Sequence, residues 1–591
     1  MSVYNIVVSL LAHSSSMTPS DAIQIGNAST TTARENGEAL SAESDNEKED
    51  TNEGSTFIDT TTFLEPSPPS RDITWKGIIS HLGPAFLVSV GYLDPGNWAT
   101  DIEGGSRFGY RLLWVLVLSN VMALLLQVLA ARMGIVTKAH LAKMCRDEYP
   151  LLVNYMLWVM AELAIVATDL TEVLGTAIGL NLVFHVPLLT GVFLTGLDTF
   201  LLLAAQRSSM KKLERLIFMF LAVISTCFIA EVFMSKPSIL GILKGSFVPS
   251  LDLESLYVSL GIIGATVMPH NFYLHSALVI PRVPNRQPAT LEKECKYTLI
   301  DAIIALNAAL FINMSIVIVA AASFFSKGVQ VKTLQKAYHL LQNTGITVFS
   351  INLAPLLFGI ALIASGQSST LCGTLAGQYV MDGFLNLQMK PVIRRLVTRV
   401  AAIIPAVIVI SILGDAGTYR LLIAAQVVLS MQLPFAIIPL IRFTDSPTKM
   451  HGFENRRWVS LASWLAAGIT VALNIAYVVH MVYQGLKSKY IWLRWVMGTV
   501  CLPIFLSLLA FLSWIALRKE TDFTEACEED LDVFEVGEVD SLGSPVGTPT
   551  SSDERTQHNK EKPFAVGEVE NGLYDHRVSQ PEFVPDEDLE F

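Results

Sequence analysis

From about residue 73 to residue 517 the chain alternates long apolar runs with short polar connections, and the stretches outside those limits are polar. About twelve of the runs approach the length of ~20 residues that a helix needs to cross a bilayer. They are Ile78 to Phe108, Leu112 to Met133, Tyr155 to Leu180, Leu188 to Leu203, Leu213 to Met234, Leu256 to Ile280, Leu299 to Phe325, Leu353 to Phe384, Val392 to Leu413, Arg420 to Leu440, Val459 to Tyr483 and Leu493 to Leu517. The pattern predicts an all-α, multi-pass membrane protein.

Two of these runs carry their own breaks. In Val90-Gly91-Tyr92-Leu93-Asp94-Pro95-Gly96-Asn97, Pro95 has no N–H for the carbonyl of Gly91, and Gly96 favours non-helical backbone. The helix is expected to open there, with Asp94 and Asn97 at the break. In Ala265-Thr266-Val267-Met268-Pro269-His270-Asn271, Pro269 likewise leaves the carbonyl of Ala265 without its helical donor. Interrupted backbone at membrane depth survives where it is buried in protein or lines a polar cavity. Paired interruptions in corresponding places of two halves point to a transporter's central binding site. The breaks fall in spans one and six. Five spans separate equivalent points, and five is odd, so the two units face opposite ways: an inverted five-plus-five repeat followed by two extra helices.

Residues 1–72 are rich in Ser, Thr, Glu, Asp and Asn, and residues 518–591 are acidic and rich in Gly, Pro, Ser and Thr. Both read as disordered tails, the second a candidate for phosphorylation or trafficking control, around a transporter domain at 73–517. Basic residues concentrate in the loops after even-numbered spans, among them Lys138, Lys143 and Arg146, and Arg207, Lys211 and Lys212. The positive-inside rule then places both termini in the cytoplasm.

Composition narrows the function classes. The chain has 591 residues, 51% of them hydrophobic, and its net charge of −12 gathers in the tails. No basic motif or aromatic platform suggests nucleic acid. The six cysteines show no CxxC spacing, which indicates neither a disulfide framework nor a zinc site. No Walker or dinucleotide motif and no nucleophile–base pair suggests an enzyme, and no cofactor or obligate protein partner is expected beyond ions and membrane lipids.

The opened helices offer an unusual ligand set: the carboxylate of Asp94, the amide oxygen of Asn97, the carbonyl of Ala265 and the thioether of Met268. Carboxylate and carbonyl oxygens suit a hard divalent cation, whereas a thioether adds nothing for calcium or magnesium and favours manganese, iron or later transition metals. Taken singly, Met268 could fill the core and Asn97 could cap a helix. Asp94 is different, because a charge within a span is costly and marks function by default.

Further ionisable residues occupy the spans: Glu162, Asp169 and Glu172 in the third, Asp198 in the fourth, Glu231 in the fifth, His270 and His275 in the sixth. Glu162, Asp169 and Glu172 stand seven and three apart and share a helix face. Arg394, Arg395 and Arg399 in span nine are candidate partners, in a proton relay or in a static ion-pair network. His270 and His275 point to different sides, so proton handling suits them better than joint metal binding.

At these residues the sequence resembles the Nramp family, proton-coupled divalent metal transporters. The marks are Asp94-Pro95-Gly96-Asn97, Met268-Pro269-His270-Asn271 with Tyr273-Leu274-His275-Ser276, Ala364-Ser365-Gly366-Gln367-Ser368-Ser369-Thr370, and Gln426 to Pro434. The resemblance covers nearly all of residues 75–517 and implies a LeuT-type five-plus-five fold with helices one and six broken. It assigns metal coordination to Asp94, Asn97, Met268 and Ala265, joined by a tenth-helix glutamine, carried here to Gln426 with Gln432 close by. It implies proton roles for Asp94, His270, Asp169 and Glu172, with Arg394 and Arg395 in the same polar network. Lys138 stands where the family usually has Gly, which bears on local loop geometry.

The resulting expectation is a secondary active transporter that carries Mn2+ or Fe2+, with Cd2+ and Co2+ as further substrates, together with protons into the cytoplasm by alternating access. It would sit in the plasma membrane or in an acidic endosomal or vacuolar membrane. The alternative is a metal-sensing membrane receptor built on an Nramp-like domain.

Overall fold

A proline at the first position of a helix costs no hydrogen bond, because the N–H it lacks has no partner there. This chain starts helices with Pro84, Pro95, Pro269, Pro288 and Pro391. Two of these prolines create the breaks foreseen in the sequence. The computed structural model describes residues 75–196, 210–283, 287–331, 333–342, 347–348, 351–387, 390–488 and 490–518. Apart from Arg518, both expected tails lie outside the described residues, as does Asp198.

In chain order the helices are α1 (Trp75–His81), α2 (Pro84–Gly91), α3 (Pro95–Phe108), α4 (Leu113–Thr137), α5 (Leu141–Glu148) and α6 (Leu151–Phe184), then α7, described over 188–196. There follow α8 (Met210–Ser235), α9 (Ile239–Phe247), α10 (Leu253–Thr266), α11 (Pro269–Leu278), α12 (Pro288–Ser323) and α13 (Leu334–Gln342). The last are α14 (Leu353–Leu385), α15 (Pro391–Asp445), α16 (Pro447–Met450), α17 (Arg457–Leu486), α18 (Ile491–Val496) and α19 (Leu502–Leu517). Ahead of α14, the strands Thr347–Val348 and Ile351–Asn352 form a short antiparallel ribbon that the apolar pattern did not foretell.

Among the described residues, eight stretches are, each alone, long and apolar enough to cross a membrane. They agree with the twelve expected spans once four features are recognised. Span one continues into span two, because α3 passes into α4 through the 3-10 turn Gly109–Leu112. Span six is two half-helices, α10 and α11, and span four is described only in part. Spans nine and ten both fall in α15 but are two helices that meet without a loop at Gly414, whose non-helical φ of 59° suits glycine.

Inside the bundle α6 packs on α14 and α15, α10 on α15 and α3, and α12 on α3 and α4. The half-helices therefore sit at the centre, with Asp94, Asn97, Ala265 and Met268 all buried. Outward faces stay apolar: Ile404, Ile408 and Ile412 form an exposed stripe at four-residue spacing on α15, and Leu461 and Leu465 do the same on α17. A face of that kind is suited to lipid.

At one end α5 acts as a strap. The backbone N–H of Leu141 donates to Ser276 Oγ at 3.0 Å, Arg146 donates to the carbonyl of Asp382 at 3.2 Å, and Lys449 pairs with Glu148 at 2.5 Å, fully enclosed. The turn into this strap holds Lys138 at φ 59°, the left-handed region that glycine enters most easily.

Candidate metal-transport site

The first break is built by Asp94. Its Oδ1 accepts the backbone N–H of Asn97 at 2.9 Å, so the carboxylate caps the N-terminus of α3. Asn97 thus lies in the first turn of α3 rather than in the opened backbone. Its side-chain amide donates to the carbonyl of Tyr92, which also accepts from Asn313 of α12 at 2.9 Å. The next carbonyl, of Leu93, accepts from Trp98 Nε1 at 3.1 Å and from Ser365 of α14. Interrupted backbone is thereby satisfied by side chains from three helices, as an anhydrous setting demands.

The other oxygen of Asp94 joins the break to the rest of the bundle. Oδ2 accepts from Thr171 Oγ1 of α6 at 2.6 Å and from Gln426 Nε2 of α15 at 2.9 Å. A Cβ on Gly96 would lie 1.8 Å from Gln426 Nε2, and one on Gly264 would lie 2.1 Å from the Gln426 carbonyl. Two glycines, one from each broken span, therefore allow Gln426 to reach the centre. Gln432 is only partly buried and its Oε1 has no hydrogen-bond partner; Gln426 is the glutamine that meets Asp94.

The second break runs from Thr266 to Pro269, with Met268 in extended backbone ahead of α11. Asn271, in the first turn of α11, faces Gly91 at the end of α2 and accepts from Cys372 Sγ at 3.3 Å. The two breaks are thus directly apposed. Around them the buried oxygens Asn97 Oδ1, Gln426 Oε1 and Asn313 Oδ1 have no hydrogen-bond partner among the described residues. Unsatisfied oxygens beside a carboxylate are what an oxygen-seeking cation would complete. Among the described residues no three His, Cys, Asp or Glu side chains gather as a metal group. A cation here would therefore meet at most two such side chains, with neutral donors completing its set.

The carboxylate face of α6 meets the arginines of α15. Arg395 pairs with Asp169 and, at 3.2 Å, with Glu172; Arg399 Nη1 stands 3.7 Å from Glu172; and Arg394 reaches Glu162 at 3.1 Å. All but the half-buried Glu162 are buried, and Thr171, next to Glu172, touches Asp94. His270 is buried with neither ring nitrogen bonded. His275 is separate from this network: its Nδ1 meets Gln127 Oε1 at 2.9 Å, and Gln127 donates to the Tyr92 hydroxyl at 2.6 Å. Sequence reasoning missed Thr171, Asn313, Ser365 and Gln127, since a neutral hydroxyl or amide in a span is too common to signal a role.

The family model described as Natural resistance-associated macrophage protein-like matches residues 85–480. The chain belongs to the Nramp family. It is 47% identical over 451 residues to the Natural resistance-associated macrophage protein 2 homolog of Dictyostelium discoideum, covering 76% of this chain and 71% of that one. It is 48% identical over 412 residues to the divalent metal cation transporter MntH of Bradyrhizobium diazoefficiens, covering 69% and 90%. A crystal structure of a manganese transporter from Eremococcus coleocola, carrying a single substitution, superposes with a TM-score of 0.69 at 35% identity, covering 75% of this chain and 94% of that one. These Nramp relatives are transporters and not enzymes, and the fold is the LeuT-type arrangement with helices one and six broken.

Proposed function

We propose that this Nramp protein moves manganese or ferrous iron, with protons, into the cytoplasm. The observation that carries the reading is the junction at Asp94, where one carboxylate in a helix break meets Gln426 and Thr171 inside a sealed core. Asp94, Asn97 and Gln426 are the oxygen ligands, with the Ala265 carbonyl and the Met268 thioether completing a set that disfavours calcium and magnesium. The names of the MntH relative and the manganese transporter support the substrate class. Cadmium and cobalt, which accept the same donors, are further substrates.

Protons enter the reading through Asp94, His270 and the Glu162, Asp169 and Glu172 row with its arginines. Metal binding displaces the proton from Asp94, and Thr171 is the first group beyond it toward Glu172. Half-helices α3 and α11 then shift about a nearly fixed site as access changes sides. Both termini are cytoplasmic, and the protein resides in the plasma membrane or in an acidic internal membrane.

The test is manganese uptake into proteoliposomes at outside pH of about 5 and about 7.5, with internal pH recorded and Asp94→Asn as control. Uptake with internal acidification, both lost in the variant, is expected. Tight binding without uptake in folded protein would transfer the assignment to a metal-sensing receptor.

A further inference from the structure

Glu231 belongs to none of the networks above. It lies on α8 with 2% of its surface exposed, and among the described residues neither carboxyl oxygen has a hydrogen-bond partner. It borders a cavity of about 10 Å³, close to the least that admits one water. The facing residues are apolar and come from four other helices and one helix end: Ile102 of α3, Ile316 of α12, Phe324 just after α12, Ala337 of α13 and Phe358 of α14.

Charged and titratable groups on the packed elements lie elsewhere. On α3, Asp101 and Glu103 flank Ile102, and Glu103 is engaged by Arg107 at 3.0 Å and by the Tyr419 hydroxyl at 3.2 Å. On α13, Lys336 and His339 flank Ala337 and are exposed. The lining residues of α12 and α14 do not titrate, and Cys227 stands one turn earlier on α8 itself. Among the described residues no cation stands within ion-pair distance of Glu231. An ionised carboxylate in such a place has neither counter-charge nor donor.

One wall of this cavity is tied to the first break through α3, whose Ile102 lines it and whose Trp98 backs two of its lining rings. Trp98 stacks edge-on against Phe228 at 4.8 Å and Phe358 at 5.4 Å, both lining residues, while its Nε1 holds the Leu93 carbonyl. Any movement of α3 about Asp94 must therefore disturb the wall over Glu231. We propose that Glu231 is a proton-binding site, distinct from Asp94 and the α6–α15 network, that holds its proton while α3 is seated and releases it when α3 lifts and water enters. The carboxylic acid fits the dry cavity and the carboxylate the hydrated one, so the proton stabilises the seated position of α3.

Infrared difference spectra of the metal-free protein in lipid nanodiscs, recorded between about pH 5 and about pH 9, test this directly. The wild type should show the carbonyl stretch of a protonated carboxylic acid that is missing in Glu231→Gln, with both proteins melting cooperatively. Glu231→Leu, which matches the apolar lining, replaces Gln if that variant does not fold. Trp98→Ala, which removes the support behind Phe228 and Phe358, should move the loss of this band to lower pH by about one unit or more. A wild-type-minus-variant spectrum with only carboxylate bands across the range overturns the proton site. An unmoved band in folded Trp98→Ala overturns its link to α3. Neither readout involves metal or transport, so failure here is separable from failure of the transport assignment.

Discussion

Gln426 donates from Nε2 to Asp94 Oδ2 at 2.9 Å, joining the kinked helix α15 to the first break. The contact exists because Gly96 has no side chain. Gly96→Ala would place a methyl group 1.8 Å from that nitrogen, so the glutamine must withdraw. A hydrogen bond to a charged group contributes about 1.5–3 kcal/mol, and uptake should fall by roughly tenfold or more. Gln426→Ala should match it. Metal uptake at equal membrane expression decides; normal uptake in folded Gly96→Ala would show that the junction is dispensable.

Met268 separates transition metals from the abundant hard cations by the thioether argument. Met268→Ala should retain part of manganese uptake and admit calcium or magnesium more readily. Competition of manganese uptake by a calcium excess measures this. An unchanged preference would remove selectivity from Met268 and leave it as packing.

Arg395 serves Asp169 and Glu172 together in a fully buried cluster. Removing one partner of a buried ion pair costs about 3–5 kcal/mol, because the remaining charge is stranded. Arg395→Met should therefore lower the melting temperature sharply, and adding Asp169→Asn with Glu172→Gln should restore much of it. If the cluster also relays protons, the restored protein stays deficient in proton-coupled uptake. Full recovery of both would reduce the cluster to a structural network.

How much of this was legible beforehand follows from which residues disturb an expected pattern. Asp94, Pro95 and Pro269 interrupt apolar spans, so both breaks and their odd spacing could be read directly. Gln426, Thr171, Asn313 and Ser365 interrupt nothing, because neutral polar side chains are tolerated in spans. Family resemblance pointed to Gln426, with Gln432 close by, and in the structure it is Gln426 that meets Asp94. The division between spans nine and ten was legible too: the apolar run stops at Leu413, and the structure breaks the helix at Gly414, whose φ of 59° is not helical. The Asp94–Thr171 contact joins residues 77 apart in sequence, beyond any local periodicity.

Lys138 offers a test of stability alone. It occupies the left-handed region at φ 59° after α4, where a side chain costs roughly 1–2 kcal/mol relative to glycine. Glycine gives some of that back through greater freedom of the unfolded chain, so Lys138→Gly should stabilise by about 1 kcal/mol or less, and Lys138→Val should destabilise. Thermal melts in one detergent rank the three. A melting temperature that falls in Lys138→Gly would mean that the lysine side chain contributes contacts outweighing the backbone cost.

His140, in the turn before α5, should make the strap acid-sensitive. Its ring packs edge-on to Tyr379 at 5.9 Å, and its Cε1 lies 2.4 Å from where a Cβ on Gly383 would stand. Burial pushes its imidazole down to about 4 from the ordinary 6.5. The unfolded or opened chain therefore takes up a proton at a higher pH than the packed one. Between those two values acid favours opening, so the stability from neutral His140 is present above about 6.5 and is lost as pH falls toward about 4. The slope approaches about 1.4 kcal/mol per pH unit inside that window. Melting temperatures of wild type and His140→Gln at about pH 7.5 and about pH 4.5 isolate the contribution, since other titrating groups are shared. The wild type should lose more on acidification than the variant; equal losses would mean that His140 takes up its proton as readily in the packed strap as in the opened chain.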